Sequence, residues 1–142
     1  MTIQLPLEVR FLKRYGRQLH TAGVPAHQFE RMMTSLADKL GFNCQVLSSP
    51  TAIFLSFHYQ DDEDDKRPIP MQLERMSPPS INLGNTAELY QLGNELLDGK
   101  VSTDDAYANL RHWQPEQLYP LWLQILCWGL TGRAVAVMLN AS

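Results

Sequence analysis

From Glu8 to Ala22 the apolar residues Phe11, Leu12, Tyr15, Leu19 and Ala22 recur at helical spacing, while Arg10, Lys13, Arg14 and Arg17 take the other positions. That period puts the two sets on different faces of an amphipathic helix. Gly23 can adopt the left-handed conformation that ends it, and Pro25 has the fixed φ suited to the first turn of a second helix. In that second helix Phe29, Met32, Met33, Leu36, Ala37 and Leu40 form one apolar stripe, closed by Gly41. The predicted opening unit is a helical hairpin.

The period then changes to two. Ile53, Leu55, Phe57 and Tyr59 face one way and Ala52, Phe54, Ser56 and His58 the other, the mark of a half-buried strand. Phe42, Cys44 and Val46 alternate similarly, and Ser48-Ser49-Pro50 is turn chemistry, so Phe42–Leu47 and Thr51–Tyr59 are expected to form a β-hairpin. After residues 60–67 a third strand presents Ile69, Met71 and Leu73 on one face. Pro68 and Pro70 cannot donate to a ladder, which makes that strand short or places it at an edge. The second face of the sheet, with Phe54, Ser56 and His58, could line a ligand groove; covering by helices is its simpler use.

Helical spacing returns with Leu89, Leu92, Leu96 and Leu97, for which Asn85 is the expected cap, with Glu88 three residues on and Gly99 as the stop. Ser102 with Asp105 repeats the device for a short helix reaching about Leu110. The sum is an α+β fold: a helical hairpin and further helices packed on a small, mostly antiparallel three-stranded sheet. Short connections at 47–51 and 60–67 favour antiparallel order, since parallel strands need a crossover of about a dozen residues. We divide the chain into a soluble domain, 1–114, and a hydrophobic segment, 115–142.

That segment has a different character. Leu121 to Leu139 reads LWLQILCWGLTGRAVAVML with one formal charge, and as a helix it would reach roughly 28 Å, close to the hydrocarbon thickness of a bilayer. Trp113, Tyr119 and Trp122 gather at its start as interfacial aromatics do, and Gly129 and Gly132 suit helix contacts in lipid. Arg133 opposes insertion by about 2.5–3.5 kcal/mol. The competing use is a buried C-terminal helix of a soluble domain, with Arg133 emerging at its end.

Composition narrows the functional classes. In 142 residues, 12 Lys and Arg against 15 Asp and Glu give a net charge of -3, which offers no electrostatic footprint for nucleic acid. The cysteines, Cys44 and Cys127, form no CxxC pair, so neither a disulfide framework nor a zinc knuckle is indicated, and they suit a reducing cytoplasm. The first 20 residues lack the pattern of an export signal.

Candidate chemistry is sparse. His27 and Glu30 share a helix face and His20 could approach them across the turn at Gly23, but no HExxH or comparable ligand spacing is present and no metal or cofactor is expected. No GxSxG or triad order is visible; for a hydrolase the first candidates are His20, Glu30, Ser49 and Thr51. The run Asp61, Asp62, Glu63, Asp64 and Asp65 fails as an EF-hand loop, because Lys66 stands at the glycine position and Gln72 at the bidentate glutamate position. It reads as a solvated hairpin tip.

Four ordered stretches resemble the threonine/serine exporter (ThrE) family: GRQLHTAGVPAHQFERMMTSLADKLGF, SSPTAIFLSF, INLGNTAELYQL with NELLDGKVSTDDAYANL, and YPLWLQILCWGLTGRAVAVML. The resemblance implies a soluble N-terminal domain ahead of a bundle of membrane helices, in a bacterial inner membrane. It implies small amino acid efflux, with the soluble domain gating, regulating or assembling the transporter. It also implies partners: the remaining membrane helices or a companion membrane subunit, and the lipid bilayer; separately, the sheet could gain a partner strand from another copy in a homo-oligomer. One segment cannot enclose a polar pathway, so the chain ending at Ser142 is expected to act with helices supplied elsewhere. A cytoplasmic domain fits the basic N-terminal helix. The alternative is a hydrolase-like enzyme domain acting on a small polar substrate.

Overall fold

A computed structural model of the chain describes residues 5–61, 69–77, 82–114 and 120–140. Residues 62–65 of the acidic run, Pro68, and the junction residues Pro115 and Tyr119 lie outside the described residues.

The helical hairpin is present as α1, Leu7–Thr21, and α2, Ala26–Lys39. Gly23 and Gly41 end the two helices at φ of 80° and 84°, the left-handed conformation that a side chain would oppose. Pro25 stands one position before α2 as its cap residue. The apolar stripe of α1 is wider than its spacing predicts. Besides Phe11, Leu12, Tyr15 and Leu19, the helix buries Val9, Gly16 and His20, because it is covered on several sides, by α2 and by later elements.

Strands β1, Phe42–Ser49, and β2, Ala52–Tyr59, pair antiparallel in unbroken register from Phe42 opposite Tyr59 to Ser49 opposite Ala52, so Pro50 and Thr51 alone make the turn. Strand β3, Gln72–Arg75, adds to the far side of β2 and is a short edge strand, as its flanking prolines require. Ile53, Leu55 and Phe57 point into the core against the helices.

β3 departs from the pattern reading. It begins at Gln72, so Ile69 and Met71 precede it, and Ile69 packs on the core whereas Met71 and Leu73 are 64% and 55% exposed. The side facing the helices carries Gln72 and Glu74 instead, which bond the basic side of α1. A polar partner across the layer thus decides which way a four-residue strand faces. The second face of the sheet, expected beneath helices, carries none among the described residues: Leu47, Phe54 and Leu73 form an apolar row across the three strands, and Leu47 is 62% exposed. The later helices take another place.

Helix α3, Leu83–Leu97, and helix α4, Thr103–His112, pack on α1 and α2. This stacks a second layer of helices on the hairpin and, among the described residues, leaves the sheet one-sided. The cap of α3 is Asn82, whose side chain accepts from the Asn85 amide; Asn85 itself lies buried in the first turn. Asparagine is equally suited to both places, and the choice falls to Asn82 because its own amide donates to the Ala22 carbonyl at 3.2 Å, pinning the start of α3 to the end of α1. Glu88, the expected capping partner, instead accepts from the Trp113 indole at 3.1 Å. Ser102 does cap α4, accepting from the Asp105 amide.

Tyr15 ties the helical layers together. Its hydroxyl donates to the Leu89 carbonyl at 2.7 Å, and burial, reinforced by Tyr90, pushes its ionisation upward. Burial likewise pushes the Cys44 thiol up to about 12 from its ordinary 9.0. Because the folded value lies above the unfolded one, this contribution to stability is complete below 9.0 and is lost as pH rises toward about 12. Urea unfolding on either side of pH 9.0 should show declining stability on the alkaline side, and Cys44→Ala should reduce that slope.

The last element, α5, Leu121–Asn140, does not join this core. Its apolar window has a mean hydropathy of 1.4 and none of it is buried; Trp122, Leu126, Leu130 and Leu139 all stand open. The use of this segment as a buried core helix is therefore not realised. Among the described residues this apolar helix is left outside the core, and its 20 residues reach about 30 Å, long enough to cross a bilayer.

Candidate functional site

Of the sequence-derived candidates, the fold brings two together. His20, near the end of α1 and 6% exposed, lies against the β1–β2 turn, where its Nε2 donates to the Ser49 carbonyl at 2.8 Å. A carbonyl only accepts, so Nε2 carries the proton in this contact. Nδ1 is buried and among the described residues has no hydrogen-bond partner, and the ring meets Phe29 edge-on at 6.4 Å. The Ser49 hydroxyl faces the other way, exchanging contacts of 3.1 Å with the amide and carbonyl of Ala52 across the turn. Imidazole and hydroxyl are thus both engaged, with different partners.

The remaining candidates stand apart from this contact. Glu30 is half-buried on α2 and its carbonyl accepts from Thr34; His27 is exposed at the start of α2; Thr51 is exposed in the turn and its carbonyl accepts from the Met76 amide. Among the described residues no three His, Cys, Asp or Glu side chains gather as a metal site would need. The His20 contact pins the hairpin tip to α1. His20→Ala should therefore destabilise the domain by about 2 kcal/mol through a lost hydrogen bond and an unfilled space, read by urea unfolding.

A second constellation is more open. α1, β3 and α4 enclose a cleft of about 630 Å³ lined by Arg10, Lys13, Arg14 and Arg17, with Glu74, Tyr107 and Trp113. The spacing 10, 13, 14, 17 places the four bases on one helix face. Each has a different anchor. Arg10 donates to the Tyr107 hydroxyl at 3.2 Å and lies over its ring at 5.2 Å. Lys13 pairs with Glu74 at 2.7 Å and donates to Gln72. Arg14 donates through Nε to the Leu110 carbonyl at 3.1 Å and Gln18 donates to the same oxygen, so the cation sits at the C-terminal end of α4, where the helix dipole favours it. Arg17 only approaches Glu74, at 4.0 Å, and its side chain is 63% exposed.

The bases are legible in the sequence as a polar helix face, but the cleft is not. Glu74, Tyr107, Leu110 and Trp113 lie at least 57 positions beyond Arg17, and only the stacking of α4 and β3 beside α1 brings them there. Four bases on one face of a chain whose net charge is -3 was the signal available.

α5 completes the functional geometry: one helix of membrane-spanning length joined to a folded α+β domain. The model of the family described as "Putative threonine/serine exporter" (ThrE) matches residues 10–142. Comparison with curated proteins and with solved structures returns no match. The family match runs through the helical hairpin, the sheet, α3, α4 and α5 in turn, and the chain belongs to the ThrE family.

Proposed function

We propose that this chain is the N-terminal part of a bacterial inner-membrane transporter that exports small amino acids such as threonine and serine. The observation that carries this reading is the family match across residues 10–142, which takes in both the folded domain and the exposed apolar helix. In this reading residues 1–114 form a domain in the cytoplasm, supported by the basic face of α1, and 115–142 contain the first membrane helix. A single apolar helix has no second wall with which to enclose a polar pathway. Substrate therefore moves through further membrane helices, in a longer chain or a companion subunit, and the domain gates, regulates or assembles them.

The test is efflux. Cells loaded with a threonine-containing dipeptide, and expressing this chain together with the membrane helices that complete it, should release threonine faster than cells expressing those helices alone. Equal release of threonine and serine with and without the chain would refute the reading. Removing residues 121–140 should abolish the gain while leaving a folded domain.

A further inference from the structure

The geometry points to the basic cleft between α1, β3 and α4 as a docking face for the phosphates of anionic phospholipids, holding the domain against the membrane that α5 enters. This rests on the membrane reading of α5.

Three observations support it. First, charge is concentrated: the cleft carries four bases and one acid in a chain that is acidic overall. Second, the bases keep unspent donors. Among the described residues Arg17 has only the 4.0 Å approach to Glu74, and Arg10 uses one nitrogen on Tyr107 and is otherwise exposed. An arginine fork of this kind matches phosphate geometry. Third, the cleft is tethered. Trp113 lines it, and from Trp113 to Leu121 the chain has eight steps, which span at most about 29 Å when fully extended. Once α5 is inserted, the cleft therefore stays within that reach of the headgroups, and its bases can close the remaining gap. A basic surface held there gains on the order of a five-fold preference per base for an anionic leaflet. Trp113 adds an amphipathic ring of the sort that settles at that depth.

Glu74 shapes the site rather than cancelling it. By pairing with Lys13 it holds that base inward and leaves Arg10 and Arg17 at the rim, where a headgroup would meet them.

The test uses the full chain reconstituted in lipid vesicles, in a Trp122→Phe/Trp128→Phe background so that Trp113 is the sole tryptophan donor of energy transfer to a dansyl-labelled headgroup. Transfer should rise about two-fold when phosphatidylcholine is replaced by a mixture with about one quarter phosphatidylglycerol, and should fall back in high salt. R10E/R17E should weaken docking by about ten-fold or more while α5 stays resistant to carbonate extraction. Should that variant fail to fold, the salt titration of the unaltered pair decides alone. Transfer indifferent to phosphatidylglycerol overturns the proposal. So does displacement by millimolar inorganic phosphate, which would make the cleft a free-anion site, or loss of binding to a companion membrane subunit without any lipid dependence. Extraction of the chain by carbonate would refute the membrane reading itself, and the docking face with it.

Discussion

Gly93→Ala is expected to lower the unfolding free energy by about 2–3 kcal/mol, the range of an overpacked core. In an exposed helix the same change would stabilise by roughly 1 kcal/mol, because alanine is the better helix former. Here the added methyl would meet the Tyr15 hydroxyl within contact distance, with the Met32 sulfur close behind. Tyr15 has nowhere to withdraw. It is fully buried, stacked on Phe11 at 5.6 Å, and bonded to the Leu89 carbonyl one turn before Gly93. Tyr15→Phe removes the obstructing oxygen. Alone it should cost about 1 kcal/mol for the lost hydrogen bond, but combined with Gly93→Ala it should recover most of the glycine penalty. The coupling in the double-mutant cycle should exceed about 1 kcal/mol. Two additive single costs would mean that α1 and α3 do not approach here as closely as the structure shows.

The second large effect concerns α5. Leu130→Arg should reduce membrane insertion by about 3 kcal/mol, or roughly two orders of magnitude in the inserted fraction, since it places a second guanidinium near the helix centre and removes a favourable leucine. Position 130 lies one turn before Arg133 and both are exposed along the helix, so the two charges would share a face. Arg133→Leu should shift insertion the other way by a similar amount. Glycosylation mapping of the segment in a reporter measures both. Were α5 a soluble helix, Leu130→Arg would leave localisation unchanged and improve solubility.

These predictions address separate halves of the molecule. The domain is stabilised by interlayer contacts centred on α1, whereas α5 takes nothing from that core. The division has a functional consequence. Under the proposed function, a domain that folds on its own contacts could change its docking without unfolding, which is what gating or assembly would need. Trp113, which lines the cleft, lies eight positions before Leu121, so few residues separate the cleft from α5 along the chain.

Much of the fold was legible in the chain because its signals are local. The 3.6-residue period of Phe29, Met33 and Leu36, the alternation of Ile53, Leu55 and Phe57, and Gly23 and Gly41 as terminators depend only on neighbours, and each appears where its period puts it. The structure departs from the local pattern where two local solutions are equal. Asn82 and Asn85 are both competent caps, and the Ala22 carbonyl, 60 residues away, selects Asn82. Leu73 alternates as a core residue would, yet Lys13 and Arg17 draw Glu74 inward and turn Leu73 out.

The candidate site divides the same way. The sequence by itself determined the amphipathic helices, the antiparallel hairpin, the basic face of α1, and a C-terminal segment long and apolar enough to cross a bilayer, since composition and period suffice for each. Only the tertiary structure decided that His20 meets the carbonyl of Ser49 and not its hydroxyl, that the second sheet face is left open, and that the bases of α1 line a cleft with Tyr107 and Trp113. Those outcomes depend on which surfaces meet across 29 to 97 positions of chain, and no local period carries that information.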